Sequence, residues 1–427
     1  MKSAHAILGL YAKRNPPQTR FTARVHGEQL PALWRVVSIA RTMTNSLLLR
    51  DMLKWLRERE RSITRLLGRF VRSESPSFDK AAVDRFGSMV AGEWRRRGAR
   101  VSLLRQRLRG NHVRAELGPR GGSARGQVLV LGHLDTVYEV GTIHRIPFRL
   151  ARGRARGPGA FDMKGGLVIA LFAVDALAAA GCRLEKRIVF LWTSDEEIGS
   201  GTSRAIVERE ARRSDAVLVL EPASGLNGRL KTARKGVGEI ELIATGRAAH
   251  AGLNPDQGVN AIEELALQIA RVSRWNDPRR GITVSAGVIE GGTRTNVIPE
   301  RARAIVDVRA ASTGGMHALE RKFRALRPIL PGAEIEARGG FNRPPMERKA
   351  SAALYLKARA VARWMGLDLG EDFVGGGSDG NFTAALGIPT LDGLGAVGEG
   401  AHSSDENIVI RALPERAALL AGLLSIL

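Results

Sequence analysis

The sequence predicts an α/β protein in which a mostly parallel sheet, covered by helices on both faces, is interrupted by an inserted ferredoxin-like unit. Three observations lead there. Short apolar runs at Gln127 to Leu131, Arg187 to Trp192 and Ala216 to Leu220 lack polar alternation, so they read as strands buried on both sides. Helical stretches at Lys164 to Ala180 and Gly199 to Arg212 lie between them, the rhythm of a sheet layered by helices. After Gly236 the order becomes strand, helix, strand, strand, helix, strand, which is that of a ferredoxin-like unit.

The elements follow in chain order. Residues 1–42 stand apart, with seven Lys or Arg against one acid, Glu28, a Pro16-Pro17 pair and no sustained periodicity. They read as an atypical N-terminal extension, untranslated or disordered, with the domain expected to start near Met43. Ala4 to Ala12 is too short and mixed for a signal peptide and lacks a small-residue cleavage site, although the ambiguity of this segment leaves export open beside a cytoplasmic location. From Met43, Leu49, Met52, Leu53, Leu56, Ile63, Leu66, Leu67 and Phe70 recur at three- and four-residue steps, predicting an amphipathic helix. The first domain spans 43–235 and resumes over 339–427. The insert, 236–338, holds predicted strands at Glu239 to Thr245, Ile282 to Ile289, Arg303 to Val308 and Glu334 to Ala337, with helices at Gly258 to Ser273 and Gly314 to Leu326. A helix from about Lys349 to Met365, a glycine-rich loop and a closing helix near Leu413 to Leu427 complete the chain.

Composition narrows the function. The 427 residues are two to three times a domain of about 150, so one small binding module is excluded. The single Cys182 permits no internal disulfide and no cysteine-built zinc site. No apolar run approaches the roughly 20 residues that cross a bilayer. The net charge of +23 comes from 55 Arg and 11 Lys spread over nearly every helix and loop, without interleaved aromatics or a nucleic-acid-binding signature. Such a surface draws anionic small molecules toward a cleft and does not imply a nucleic-acid partner.

Chemistry is announced by acids and histidines stationed after apolar runs. His133-Leu134-Asp135 follows Val128 to Gly132, Asp162-Met163-Lys164 follows Gly157 to Phe161, and Asp195-Glu196-Glu197 follows Val189 to Ser194. Glu221-Pro222 follows Val217 to Leu220, and His402-Ser403 follows Gly398 to Ala401. Reactive groups in such sheets collect beyond the carboxyl ends of strands, so five segment ends are expected to meet on one rim. Histidines and several carboxylates without sulfur suit borderline divalent cations such as Zn²⁺, and a run of three acids ending a buried strand needs cations. Singly, each has a plain alternative: His133 as a satisfied core histidine, or Asp195 to Glu197 as a helix N-terminal cluster.

In this order, these motifs, with Gly246 to Gly252, Asn296-Val297-Ile298-Pro299, Asp307-Val308-Arg309 and Gly375-Gly376-Gly377-Ser378-Asp379, resemble the zinc peptidase family of glutamate carboxypeptidase, acetylornithine deacetylase and succinyl-diaminopimelate desuccinylase. The likeness covers about Met43 to Leu427 and is strongest to the glutamate carboxypeptidase branch. It implies a zinc-peptidase catalytic domain with an inserted lid and dimerisation domain, and two Zn²⁺ per subunit, replaceable by Co²⁺ or Mn²⁺. Glu197 and His402 would hold one ion, His133 and Glu221 the other, with Asp162 bridging. Asp135 would orient His133, and Glu196 would act as general base. His250 and Asn296 would donate to the developing oxyanion, His250 across the interface of a homodimer. Arg309 would clasp the substrate's free carboxylate, and Gly376, Gly377 and Ser378 would line the leaving-group side. The implied reaction is release of an amino acid with a free carboxylate, C-terminal Glu or similar, from a small peptide or N-acyl amino acid. The alternatives are an N-acyl amino acid deacylase and a non-catalytic metal-binding scaffold of the same fold.

Two rival patterns share the glycine-rich loop. Gly376 to Gly380 fits G-x-S-x-G, with Asp392 and His402 following in the chain order of an α/β-hydrolase triad, but this leaves five acids and histidines without a role. The same residues fit G-x-G-x-x-G without the strand that a dinucleotide site requires.

Overall fold

A computed structural model describes residues 46–119 and 124–427, so the expectations for residues 1–42 lie outside the described part. Its central sheet has six strands in the order Arg100–Leu104, His112–Leu117, Arg187–Thr193, Gln127–His133, Ala216–Val219, Thr390–Leu391. The last four are parallel, with Gln127 opposite Arg187 and His133 opposite Thr193, while the first two are antiparallel. Those two strands lack the apolar run that marks the others: Arg114 and Glu116 interrupt the second and pair with each other at 2.8 Å. The three predicted parallel strands are present because alternate residues serve different cores. Val128 and Val130 join the larger core with Trp94, Phe190 and Trp192, whereas Leu129 and Leu131 join a smaller one with Val207 and Val217 on the opposite face. Trp94 stacks on Phe190 with ring centroids 4.1 Å apart.

The helix Gly165–Ala179 is buried almost all round and packs against the closing helix Ala412–Ile426, also buried, which explains why neither shows a polar stripe. The periodic stretch after Met43 is two helices, over 46–57 and Glu60–Arg72, separated by a turn at 58–59. The break falls within the five consecutive charges from Arg57 to Arg61, across the seven-residue gap between Leu56 and Ile63. All eight apolar residues of the pattern are nevertheless buried.

Residues 236–343 build a separate four-stranded antiparallel sheet ordered Thr283–Gly291, Arg301–Ala310, Gly236–Thr245, Glu334–Arg343. Numbered along the insert this is 2-3-1-4, the strand order of a ferredoxin-like unit. The helices Ala261–Ser273 and Thr313–Arg324 supply Leu265, Val272, Leu319 and Phe323 to its own core. The last strand runs six residues beyond the expected Ala337, following its partner strand back toward the central sheet. A further small antiparallel sheet joins Gly398–Glu399, Asn407–Val409, Arg154–Arg156 and Arg149–Ala151. Among the described residues no helix is long and apolar enough to cross a membrane.

The first turn of Gly165–Ala179 lies against the strand end that delivers Glu221. A Cβ at Gly166 would stand 2.4 Å from the Leu220 carbonyl oxygen, which is backbone and cannot yield cheaply. Gly166→Ala is therefore expected to destabilise the chain by about 1–3 kcal/mol, seen as a lower thermal midpoint by differential scanning calorimetry.

Candidate metal centre

Three of the five expected ligands come from neighbouring parallel strands, and two come from elsewhere. His133 closes the fully buried strand Gln127–His133, Glu197 lies in the short turn Glu196–Ile198 after Arg187–Thr193, and Glu221 follows Ala216–Val219. Asp162 and His402 instead sit on loops of the small antiparallel sheet, after Arg154–Arg156 and Gly398–Glu399. The expected convergence of five strand ends is therefore a meeting of two sheets. The Asp162 loop needs Gly159, whose φ is +70° and whose missing Cβ would come within 2.7 Å of Thr136. His402 is held at φ +62°, a region unusual for a residue with a side chain.

The five side chains meet around Asp162. Its Oδ1 is 3.2 Å from Nε2 of His133, and its Oδ2 is 3.4 Å from Nε2 of His402. Nε2 of His133 is also 3.6 Å from Glu221, and Nε2 of His402 is 3.3 Å from Glu197. The ligand atoms form two groups, His133/Asp162/Glu221 and Asp162/Glu197/His402, each within 4.8 Å, with Asp162 in both. His133 is buried and His402 exposed, so the cluster opens to solvent at one end.

This donor set fits divalent cations. It offers imidazole nitrogen and carboxylate oxygen only, with one carboxylate facing two ways. Oε1 of Glu197 is buried without a hydrogen-bond partner, a cost that a cation would remove. Without a cation, protons hold the charges together. Burial opposes a charge on His133, but its bonds to Asp135 and Asp162 lift it well above the ordinary imidazole range. His402 is pushed up to about 10 by Asp162 and then Glu197. Burial would raise Asp162, yet the two histidines hold it far below the usual carboxylate range. Burial and the neighbouring Asp162 push Glu221 up to about 7.

Asp135 organises the inner side. It is fully buried, accepts from Oγ of Ser77 at 2.8 Å, and receives the backbone N–H groups of Glu196 and Glu197 at 3.3 and 3.2 Å. Its Oδ1 is 3.5 Å from Nδ1 of His133, while that nitrogen is closer, at 2.9 Å, to the Asp135 carbonyl oxygen. Glu196 points its Oε1 at Nη2 of Arg343, 3.0 Å away. Burial pushes its carboxyl well above the usual range, against the opposing charge of Arg343.

The remaining expected residues are placed less simply. Arg309, on Arg301–Ala310, makes a two-point contact with Asp307 at 2.9 and 3.1 Å and donates to the Gly375 carbonyl at 3.0 Å. His250 and Asn296 are both exposed, on adjoining segments of the insert joined by the bond from the Ala251 N–H to the Asn296 carbonyl. Nδ1 of His250 accepts from the N–H groups of Gly252 and Leu253 at 3.1 Å each, which leaves Nε2 to carry the proton. Gly376 and Gly377 turn their carbonyls to Nη1 of Arg234, at 3.0 and 3.1 Å. Ser378 is fully buried, and its hydroxyl donates to Asp392 at 2.6 Å. His402 meanwhile faces Asp162 and Glu197, so the triad order seen in sequence does not become a triad in space.

Sequence reasoning missed two buried arginines that fasten the insert's entry and exit. Arg234 makes a two-point pair with Asp392, at 2.7 and 3.0 Å, and stands 3.8 Å from Glu221. Arg343 lies within 3.3 Å of Glu196, Ser200 and Asp379. Among 55 arginines nothing in the sequence distinguishes these two.

Comparison with known proteins supplies the family context. The profile of peptidase family M20/M25/M40 matches residues 129–425. Carboxypeptidase G2 of Pseudomonas sp. strain RS-16 is 30% identical over 370 residues, covering 85% of this chain and 88% of that protein. Succinyl-diaminopimelate desuccinylase of Ectopseudomonas mendocina is 29% identical over 333 residues, covering 74% and 86%. Among solved structures, aminopeptidase PepT from Bacillus cereus superposes with a TM-score of 0.70 at 21% identity, over 86% of this chain and 98% of that one, which shows the shared fold.

Near neutral pH the metal-free centre carries protons on its histidines, His402 in particular with its value raised to about 10. Cations must displace those protons, so zinc titration of the metal-free chain is expected to release protons, with affinity rising from mildly acidic to mildly alkaline pH. Calorimetric titrations in buffers of different ionisation enthalpy measure this. Binding without proton release contradicts it.

Proposed function

The chain belongs to peptidase family M20/M25/M40, and from that premise we propose that it is a dinuclear zinc amide hydrolase. Its substrate on this reading is a small peptide or N-acyl amino acid, from which it releases an amino acid bearing a free carboxylate, C-terminal Glu or similar. The observation that carries the reading is Asp162, whose two oxygens each face a different histidine, at 3.2 and 3.4 Å. The donors fit one ion held by His133 and Glu221, another by Glu197 and His402, and Asp162 common to both. When bound, such a pair lowers the pKa of water toward neutrality and polarises the scissile carbonyl.

The chain's own groups do the rest. Asp135 holds the His133 ring and the Glu196-Glu197 turn in one frame. Arg343 fixes Oε1 of Glu196 and leaves Oε2 to take a proton from the attacking water and return it to the leaving nitrogen. His250, with its proton on Nε2, and Asn296 are suited to donate to the developing oxyanion. Exposure of His250 is compatible with service in a partner subunit's site. A homodimer through the insert is supported by its outer strand, Thr283–Gly291, which exposes Val288 and Ile289 along an unpaired edge beside Ile262. Arg309 would exchange Asp307 for the substrate carboxylate, a trade its half-exposed guanidinium permits. Gly376 and Gly377 would shape the leaving-group side through their backbone, with Ser378 beneath them as a buried support. The longer, more identical match to a carboxypeptidase than to a desuccinylase favours the peptidase reading over the deacylase.

Three experiments test this. The zinc-loaded chain, offered a panel of N-acyl amino acids and dipeptides including acyl-glutamates, should release amino acid in a chelator-reversible way. Glu196→Gln should keep both metals and lose about 10²–10⁴-fold in turnover. Zinc retention without hydrolysis by the wild-type chain across the panel would favour a binding scaffold. Ser378→Ala should retain most turnover and cost about 1–3 kcal/mol of stability, since its hydroxyl both donates to Asp392 and accepts the Gly380 N–H. Abolished turnover in a folded Ser378→Ala protein would reinstate the serine.

A further inference from the structure

We propose that Glu406 is the positioning residue that presents Asp162 to both halves of the metal centre, acting through the backbone of the loop that carries it. The inference rests on Asp162 being the ligand shared by two cations. Glu406 is fully buried, lies four residues beyond His402, and holds no place in the ligand cluster. Its Oε1 accepts the backbone N–H groups of Phe161 and Asp162, at 2.7 and 2.9 Å. Its Oε2 accepts the Gly159 N–H at 3.0 Å and the Tyr138 hydroxyl at 2.5 Å, which also stands 2.9 Å from the Ser403 carbonyl oxygen. The Glu406 carbonyl oxygen accepts the Gly157 N–H at 3.2 Å.

Four donors therefore occupy two oxygens, the full acceptor capacity of a carboxylate. Only a carboxylate satisfies this arrangement. A glutamine would turn an NH₂ group against a pair of donors at whichever end it occupied, and an aspartate is one methylene short. The bonds also join the two loops that supply Asp162 and His402, neither of which rides on the central sheet. Asp162 has no freedom to spare, since rotation that improves Oδ1 toward His133 draws Oδ2 away from His402. Fixing the Asp162 N–H fixes the root from which that side chain projects. Glu406 thereby performs for this centre what outer partners of metal ligands do generally, holding the ligand in its binding orientation.

The test uses the full chain, stripped of metal and titrated with Zn²⁺ and, for its absorption spectrum, Co²⁺. Wild type should bind two cations. Glu406→Gln, if its circular dichroism matches wild type, should bind them about 10–100-fold more weakly and give an altered Co²⁺ spectrum. Tyr138→Phe removes one donor of four and should weaken binding several-fold, which decides the matter if Glu406→Gln does not fold. Unchanged cation affinity in folded Glu406→Gln, whatever its metal-free thermal midpoint, would overturn the role of Glu406 alone. So would unchanged affinity in Tyr138→Phe where Glu406→Gln does not fold. Failure of wild type to bind two cations would remove the shared-ligand reading, and this inference with it.

Discussion

One carboxylate between two imidazoles is the constraint on which the rest of the structure depends. Asp162 can face His133 and His402 together only if a loop of the small antiparallel sheet is held against the carboxyl edge of the central one. Burying that many acids is costly unless each finds a partner, and the structure sets several of them against histidines and arginines. His133, Glu221 and the Glu196-Glu197 turn stand on parallel strands whose spacing is set by the sheet. Asp162 and His402 must be brought to them by other means, which is why so much buried polar bonding gathers around their loops.

The inserted unit is tied into the same electrostatics. Arg234 at its entry and Arg343 at its exit are buried, and both end on acids of the central domain: Asp392 beside Glu221 for one, Glu196 and Asp379 for the other. The Arg234 and Met346 backbones pair across the two connections, so entry and exit are joined by an isolated antiparallel bridge. Glu196 is thus held by an arginine that stands at the insert's exit.

Much of this was legible in the sequence because the parallel strands are uninterrupted apolar runs and their ends carry short polar motifs. That rule alone placed His133, Glu221 and the run Asp195-Glu196-Glu197, while Glu197 was singled out within the run only by the family resemblance. The positions of Asp162 and His402 could be guessed from similar runs, but not the second sheet that carries them, since its strands are two or three residues long and Arg-rich. The strands Arg100–Leu104 and His112–Leu117 escaped for a related reason: nearly half their residues are polar, with Arg100 paired across the strands to Glu116 and Arg114 paired to Glu116 within one. The turn after Leu56 was hidden by a periodicity that continues in phase across it. Buried Arg234, Arg343 and Glu406 were beyond reach, because burial of a charge is decided by partners far along the chain, such as Asp392 for Arg234 at a separation of 158 residues, and not by sequence neighbours. Ser378 shows the reverse case, a motif match whose hydroxyl turns inward to Asp392.

The most direct measurement of the central claim is zinc-edge X-ray absorption on the loaded, full-length chain. Two ions sharing Asp162 predict a metal–metal scattering shell at about 3.5–4 Å, with a first shell of nitrogen and oxygen near 2.0–2.2 Å and no sulfur. A single isolated ion without a metal neighbour, or a sulfur-bearing first shell, would contradict the account.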